Sequence, residues 1–264
     1  MESILFCFLG SLLLLQALEV RSKSMERIVN GQQAKEGQFP YIVALSIETK
    51  EAFRSCGGSI IANDWILTAA HCTENAQRVI IYYGSIEKAK AQVVVEVQAS
   101  NIIQHPKYDS TLVRNDIALI HSKWVDFNDR IQSIALPRPE QVGESFEGQW
   151  SQAAGWGSTY NYNIVLIPET LQWTNLEITP KFLCEVAYSY VSNITENVLC
   201  AGSPYQQSIC AGDSGGPLVL IKEKILVGVS TAVHPKGCRI GFPALFNRVS
   251  KYLDWIRQNS NVTS

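Results

Sequence analysis

Gly212-Asp213-Ser214-Gly215-Gly216-Pro217 sets a serine among glycines, as backbone must be where it approaches a substrate closely. A serine hydroxyl is a feeble nucleophile at neutral pH and needs a neighbouring base. Taken alone the stretch satisfies Gly-x-Ser-x-Gly, a turn that one class of hydrolase places between a strand and a helix, with an acid and then a histidine downstream. That order fails here, because a strand-like run, Leu218 to Ile221, follows Pro217, and His234 precedes Asp254. Upstream, Thr68-Ala69-Ala70-His71-Cys72 and Arg114-Asn115-Asp116-Ile117-Ala118-Leu119 supply a histidine and an acid in the order His, Asp, Ser. His71, with an ordinary pKa of about 6.5, can take the Ser214 proton and return it to a leaving amine. Asp116 would hold the imidazole in the useful tautomer. The chemistry is acyl transfer.

The other histidines read as structural. His105 lies in a surface turn by composition, His121 closes the strand after Asp116, and His234 reads as a solvated histidine of the loop from Ser230 to Cys238. None belongs to a metal-spaced cluster, and the stretch from Gly84 to Lys90 offers a single acid, so neither zinc, calcium nor any other cofactor is implied.

Residues this far apart must be gathered by a scaffold, and the chain has the material. Of 264 residues 46% are apolar and 17% charged, which excludes a disordered tail; a net charge of −2 leaves no basic field for nucleic acid. No repeat or low-complexity tract appears. Short β-branched or aromatic runs recur instead: Tyr41 to Ile47, Ser59 to Leu67, Val79 to Tyr83, Val93 to Ala99, Ile117 to Ile120, Leu218 to Ile221 and Ile225 to Ser230. These predict antiparallel β structure, in barrels or a sandwich. Thr179-Pro180 opens a short helix through about Tyr188, and Val249, Tyr252, Leu253, Trp255 and Ile256 form the apolar face of a closing helix. Leu136 to Gly143 is the linker that splits the chain into two β subdomains.

Ile4 to Leu15 is a twelve-residue apolar run, too short to span a bilayer in a relaxed way, and it predicts a secretory signal at residues 1–17, with no later membrane span. Cys7 leaves with it. Six cysteines remain, at 56, 72, 184, 200, 210 and 238, suggesting three disulfides in a secreted chain; sequence alone allows 15 pairings. Asn193-Ile194-Thr195 and Asn261-Val262-Thr263 are glycosylation sequons, with Asn193 the better placed.

From Ile28 to about Gln258 the chain resembles the chymotrypsin-like, trypsin-fold serine proteases. The resemblance is carried, in order, by Ile28-Val29-Asn30-Gly31, Cys56-Gly57-Gly58-Ser59, Thr68 to Cys72, Asn115 to Leu119, Gly155-Trp156-Gly157 and Gly212 to Pro217. It implies an all-β fold of two antiparallel six-stranded barrels, about 28–135 and 144–248, with a C-terminal helix at about 249–258. It also implies catalysis by His71, Asp116 and Ser214 and an oxyanion hole from the N–H groups of Gly212 and Ser214, a donor of this kind being worth on the order of 3 kcal/mol. The implied disulfides are Cys56–Cys72, Cys184–Cys200 and Cys210–Cys238. Residues 18–27 would be an activation pro-peptide cut after Arg27 by a trypsin-like protease, the freed ammonium of Ile28 pairing with Asp213.

The same resemblance puts Ser208 at the base of the primary substrate pocket and Ala232 and Ala244 on its walls, with Ser230 the serine that supports Asp116. With no acid at 208, the implied preference is for apolar, medium to large side chains such as Leu, Phe or Tyr, an elastase-like taste for smaller ones being the alternative. Ser230-Thr231-Ala232 replaces the family's usual Ser-Trp-Gly, and with Ala244 this is similar to chymotrypsin-like and brachyurin-like proteases of arthropods. A monomeric secreted endopeptidase acting on proteins and met by protein inhibitors is the implied function. The competing one is a protease homologue that acts by binding.

Overall fold

The computed structural model describes residues 31–112, 114–158, 168–189 and 194–263. Arg27, Ile28, Asn193 and the leader lie outside them. The first half runs β1 (Gln32–Gln33), β2 (Ile42–Glu48), β3 (Phe53–Ala62), β4 (Trp65–Thr68), α1 (Ala70–Thr73), β5 (Arg78–Tyr83), β6 (Val93–Gln98), β7 (Ile102–Gln104) and β8 (Ala118–His121). The second runs β9 (Trp150–Gly155), β10 (Gln172–Ile178), α2 (Lys181–Ala187), β11 (Val198–Gly202), β12 (Pro217–Leu220), β13 (Leu226–Ala232), β14 (Ala244–Arg248) and α3 (Leu253–Ser260).

The fold is all-β, as the strand-like runs predict. Strand β10 pairs with both β9 and β11, so the order β9-β10-β11-β14-β13-β12 returns to β9 as a closed six-stranded barrel, with β1 added against β10. The other sheet, β6-β5-β2-β3-β4-β8-β7, has seven strands and curls as a half-barrel without a closing ladder, where the resemblance implied six closed strands. The run from Ser59 to Leu67 is likewise two strands rather than one. Asn63-Asp64 turns β3 into β4, whose residues pair Ser59 with Leu67 and Ile60 with Ile66.

Alternation of side chains explains both cores. In β5, Val79, Ile81 and Tyr83 point inward while Arg78, Ile80 and Tyr82 are less covered. They join Val43, Leu45, Ile60, Leu67 and Leu119 in the first core, onto which Val249, Tyr252 and Ile256 of the closing helical segment pack. Leu176, Leu199, Leu218, Val227 and Phe246 form the barrel's core. A third cluster, with Phe39, Ile42, Ala44, Ala154 and Trp156, draws on strands of both halves and fastens them together. The linker is a tight helical turn at Pro139–Gly143.

Candidate active site

Helix α1 is a single turn that carries His71. Its place is secured by the Cys56–Cys72 disulfide to β3 and by Gln104 Nε2, which donates to Ala70 O and Thr73 Oγ1, both at 2.9 Å. Asp116, 0% exposed, accepts the backbone N–H of His71 on Oδ1 and the ring Nδ1–H on Oδ2, both at 2.7 Å. A carboxylate can only accept, so Nδ1 bears the proton and Nε2 is left basic. The barrel holds the acid from the other side: Asn247 Nδ2 donates to Asp116 O at 2.6 Å, and Thr231 Oγ1 donates to Asp116 Oδ2.

That last hydroxyl differs from the expectation. Ser230 was to support the aspartate, but the side chain that does so is Thr231, one residue on. Strand β13 bulges here, pairing Ser230 with Phe246 and Ala232 with Leu245, so Thr231 has no partner in the ladder and turns towards Asp116. Ser230 works through its backbone instead: its carbonyl accepts the N–H of Gly215 at 2.7 Å and its N–H donates to Gly216 O at 2.9 Å.

Ser214 sits at the seam of the two halves. Its carbonyl accepts the N–H of Gly57 at 2.8 Å, and Gly57 O accepts from Thr68 Oγ1 at 2.8 Å. Gly57 neighbours Cys56, which is bridged to Cys72 beside His71, so one hydrogen bond and one disulfide connect the serine turn to the segment that carries the imidazole. At Gly215, whose φ is +76°, a Cβ would lie 2.2 Å from Thr68 Oγ1; backbone meets backbone here and no side chain fits.

Asp213 is buried, and its carboxylate accepts the N–H of Gly157 on Oδ1 at 2.7 Å and of Cys210 on Oδ2 at 2.8 Å. Burial pushes its pKa up from 3.8 to about 6, against the lowering effect of those two bonds. A Cβ on Gly157 would stand 2.5 Å from that carboxylate, which accounts physically for the glycine of Gly155-Trp156-Gly157. Gly212, with φ +99°, turns the chain just before it.

Ser208 and Ala244 are buried, Ala244 in the cluster with Ile209. Ala232 packs beside Tyr188 and Leu245, whereas Val233 packs on the Ala244 cluster and on the Cys210–Cys238 disulfide. Of the other histidines, His105 opens a turn and His121 ends β8 as expected, while His234 departs from its expected setting. His234 is not solvated but 4% exposed, stacked 4.3 Å from Phe242. His105 packs against Tyr252 and Trp255, and burial lowers its pKa. His121 stacks on Trp65.

The disulfides join Cys56 to Cys72, Cys184 to Cys200 and Cys210 to Cys238. Among the described residues, the one cluster of potential metal ligands is Cys56, His71 and Cys72. Its two sulfurs are bonded to each other and offer no thiolate. Asn261 follows α3 in an exposed left-handed turn, φ 58°. Sequence reasoning missed Thr231, Asn247 and Val233. Asn247 alone left a signal, as a polar residue that follows the apolar Ala244-Leu245-Phe246.

The family model described as Trypsin matches residues 28–256, and the chain belongs to that family. It is 40% identical over 237 residues to "Serine protease 1" and to "Serine protease 2" of Drosophila melanogaster, covering 90% of this chain and 87% of each relative. It is 38% identical to "Collagenase" of Hypoderma lineatum, covering 89% of this chain and 88% of that one. Among solved structures, HL collagenase superposes with a TM-score of 0.84 at 37% identity, over 90% of this chain and all of that one. Neuropsin of mouse brain gives 0.73 at 29% identity, over 86% and 97%. Family, fold and relatives agree: the protein is a serine endopeptidase.

Proposed function

We propose that the chain is a secreted serine endopeptidase that cleaves through Ser214 as nucleophile, His71 as general base and acid, and Asp116 as the group that fixes the imidazole. The observation that carries this is the pair of 2.7 Å bonds from His71 to a fully buried Asp116, which orient the ring and leave Nε2 basic. Ser214 attacks the scissile carbonyl as its proton passes to Nε2, the N–H groups of Gly212 and Ser214 receive the developing oxyanion, and the proton then goes to the leaving amine. Water repeats the sequence to free the acyl group. Peptide and protein substrates follow from the family, and no cofactor enters the steps.

The apolar leader and the three disulfides support export, with residues 1–17 as signal. Activation by a cut after Arg27 is supported by Asp213, a buried carboxylate whose only described partners are two N–H groups and which favours a cation. For specificity, Ser208 supplies no charge, so an apolar P1 residue is preferred. The packing of Val233 on the core cluster that holds Ala244 and on the Cys210–Cys238 bridge favours the smaller end, Ala to Leu, over Phe and Tyr.

A fluorophosphonate probe tests the nucleophile. Cleaved protein should label stoichiometrically at Ser214, and Ser214→Ala and His71→Ala should not; a wild-type chain that takes no label would favour a homologue that only binds.

A further inference from the structure

We propose that His234 is a positioning residue for substrate selection: packed against Phe242 and Tyr188, its imidazole pins Val233 against the wall of the primary slot. The proposal rests on the endopeptidase reading with Ser208 at the base of that slot.

The segment after β13 runs to Cys238, which the disulfide ties to Cys210. Its own turn is closed by Gly237 N–H donating to His234 O at 2.9 Å, and Gly237 has φ +124°. Side-chain packing holds it as well. The His234 ring lies 4.3 Å from Phe242 at an interplanar angle of 30°, and 5.3 Å from Tyr188 at 58°. Each neighbour is anchored elsewhere. Tyr188, buried at the end of α2, donates its hydroxyl to Pro243 O at 2.8 Å. Pro243, next to Phe242, lies against Gly202 of β11, where a Cβ would stand 3.2 Å from Pro243 Cα. Three segments therefore converge on one imidazole, those of α2, the turn after β13 and the strap leading into β14.

An imidazole suits the place in two ways. Its faces stack, while its edge accepts a hydrogen bond on Nδ1 from the N–H of Lys236 at 3.1 Å, which closes the turn a second time. Val233, the preceding residue, packs on the Ala244 cluster and on the Cys210–Cys238 bridge. Cys210 lies two residues past Ser208. With His234 fixed, the branched side chain of Val233 is fixed, and the slot stays narrow. With His234 truncated, the turn loses both stacking partners and its second closure, Val233 withdraws, and larger P1 side chains enter.

The test is kcat/KM on peptides identical except for P1 Val or Phe, with active enzyme counted by fluorophosphonate titration. In His234→Ala the Phe-to-Val ratio should rise at least fivefold, carried by KM. His234→Phe, which keeps the stack, should return the ratio to within twofold of wild type. His234→Gln keeps an acceptor but no ring; it carries the alanine variant's expectation should that variant fail to fold. Val233→Ala should raise the ratio by itself. An unchanged ratio in titratable His234→Ala or His234→Gln overturns the proposal alone, and a wild-type chain that takes no label overturns the enzyme reading beneath it.

Discussion

At the scale of single residues, Asp116 and Asp213 are two buried carboxylates with opposite surroundings. Asp116 accepts from His71 twice and from Thr231, with its own carbonyl held by Asn247. A hydrogen bond to a charged group contributes about 1.5–3 kcal/mol, so Thr231→Val should lower kcat at least about tenfold. Ser230→Ala should cost less, because Ser230 serves the site through its backbone; steady-state kinetics on one peptide compares the two, and equal losses would contradict the assignment. Among the described residues Asp213 has two backbone N–H partners, and burial lifts its carboxyl to about 6. An acid whose pKa is raised in the folded state holds its proton more tightly folded than unfolded. Its stabilising contribution is therefore complete below about pH 4 and is lost as pH rises through about 6. Urea midpoints of the uncut chain should show wild type losing ground to Asp213→Asn between pH 4 and 7, by up to about 3 kcal/mol. A constant gap would mean that a cation already compensates the carboxylate.

At the scale of elements, the serine turn, the Gly155-Trp156-Gly157 stretch and β3 interlock through positions where no Cβ fits. Gly157→Ala would drive a methyl to 2.5 Å from the Asp213 carboxylate, and Gly215→Ala one to 2.2 Å from Thr68 Oγ1 at a left-handed φ. Each should destabilise by at least about 3 kcal/mol, read as a fall in the urea midpoint, and should abolish labelling of Ser214. Paired Cys56→Ser and Cys72→Ser, which open a loop with a sequence separation of 16, should cost about 3 kcal/mol and depress kcat, since the bridge anchors α1. Most strands of the half-barrel were legible because β2, β5 and β6 are β-branched runs between turn residues. In the barrel β12 and β13 were legible in the same way, but β9, β10, β11 and β14 were not. Trp150–Gly155 reads Trp-Ser-Gln-Ala-Ala-Gly, with small residues where the halves pack closely, and Gln172–Ile178 buries Gln172 and Thr174 on its inner face. The residues proposed for the chemistry, His71, Asp116 and Ser214, stand in motifs that single them out in the sequence. The hydroxyl on Asp116 was not legible, because a bulge shifts the facing of β13 by one residue and leaves no mark in the string Val-Ser-Thr-Ala-Val.

At the scale of the molecule, two lobes meet along a seam, and the state of that seam depends on Asp213. The half-barrel brings His71 and Asp116 while the barrel brings Ser214 and the two groups, Thr231 and Asn247, that reach across to Asp116. On the activation reading, a cut after Arg27 delivers the ammonium of Ile28 to the Asp213 carboxylate. The turn of Gly212 and Ser214, one residue to either side, then settles into a shape that receives the oxyanion. Because one such donor is worth about a hundredfold in kcat, the cut chain should exceed the uncut one by at least that factor. The burial penalty is then offset. An ammonium facing Asp213 draws its carboxyl down from about 6, so the cut enzyme loses less stability than the uncut chain as pH rises towards neutrality. The pairing lasts until the amine, ordinarily at about 7.7–8.0, loses its proton. Activity of the cut enzyme should accordingly fall on the alkaline side, whereas the uncut chain should already be past its stability maximum at neutral pH. Activity measured against pH before and after trypsin treatment decides the matter, with Ile28 acetylated after cleavage as the control. Full activity in the uncut or acetylated chain would leave the buried carboxylate without its partner and refute activation by this route.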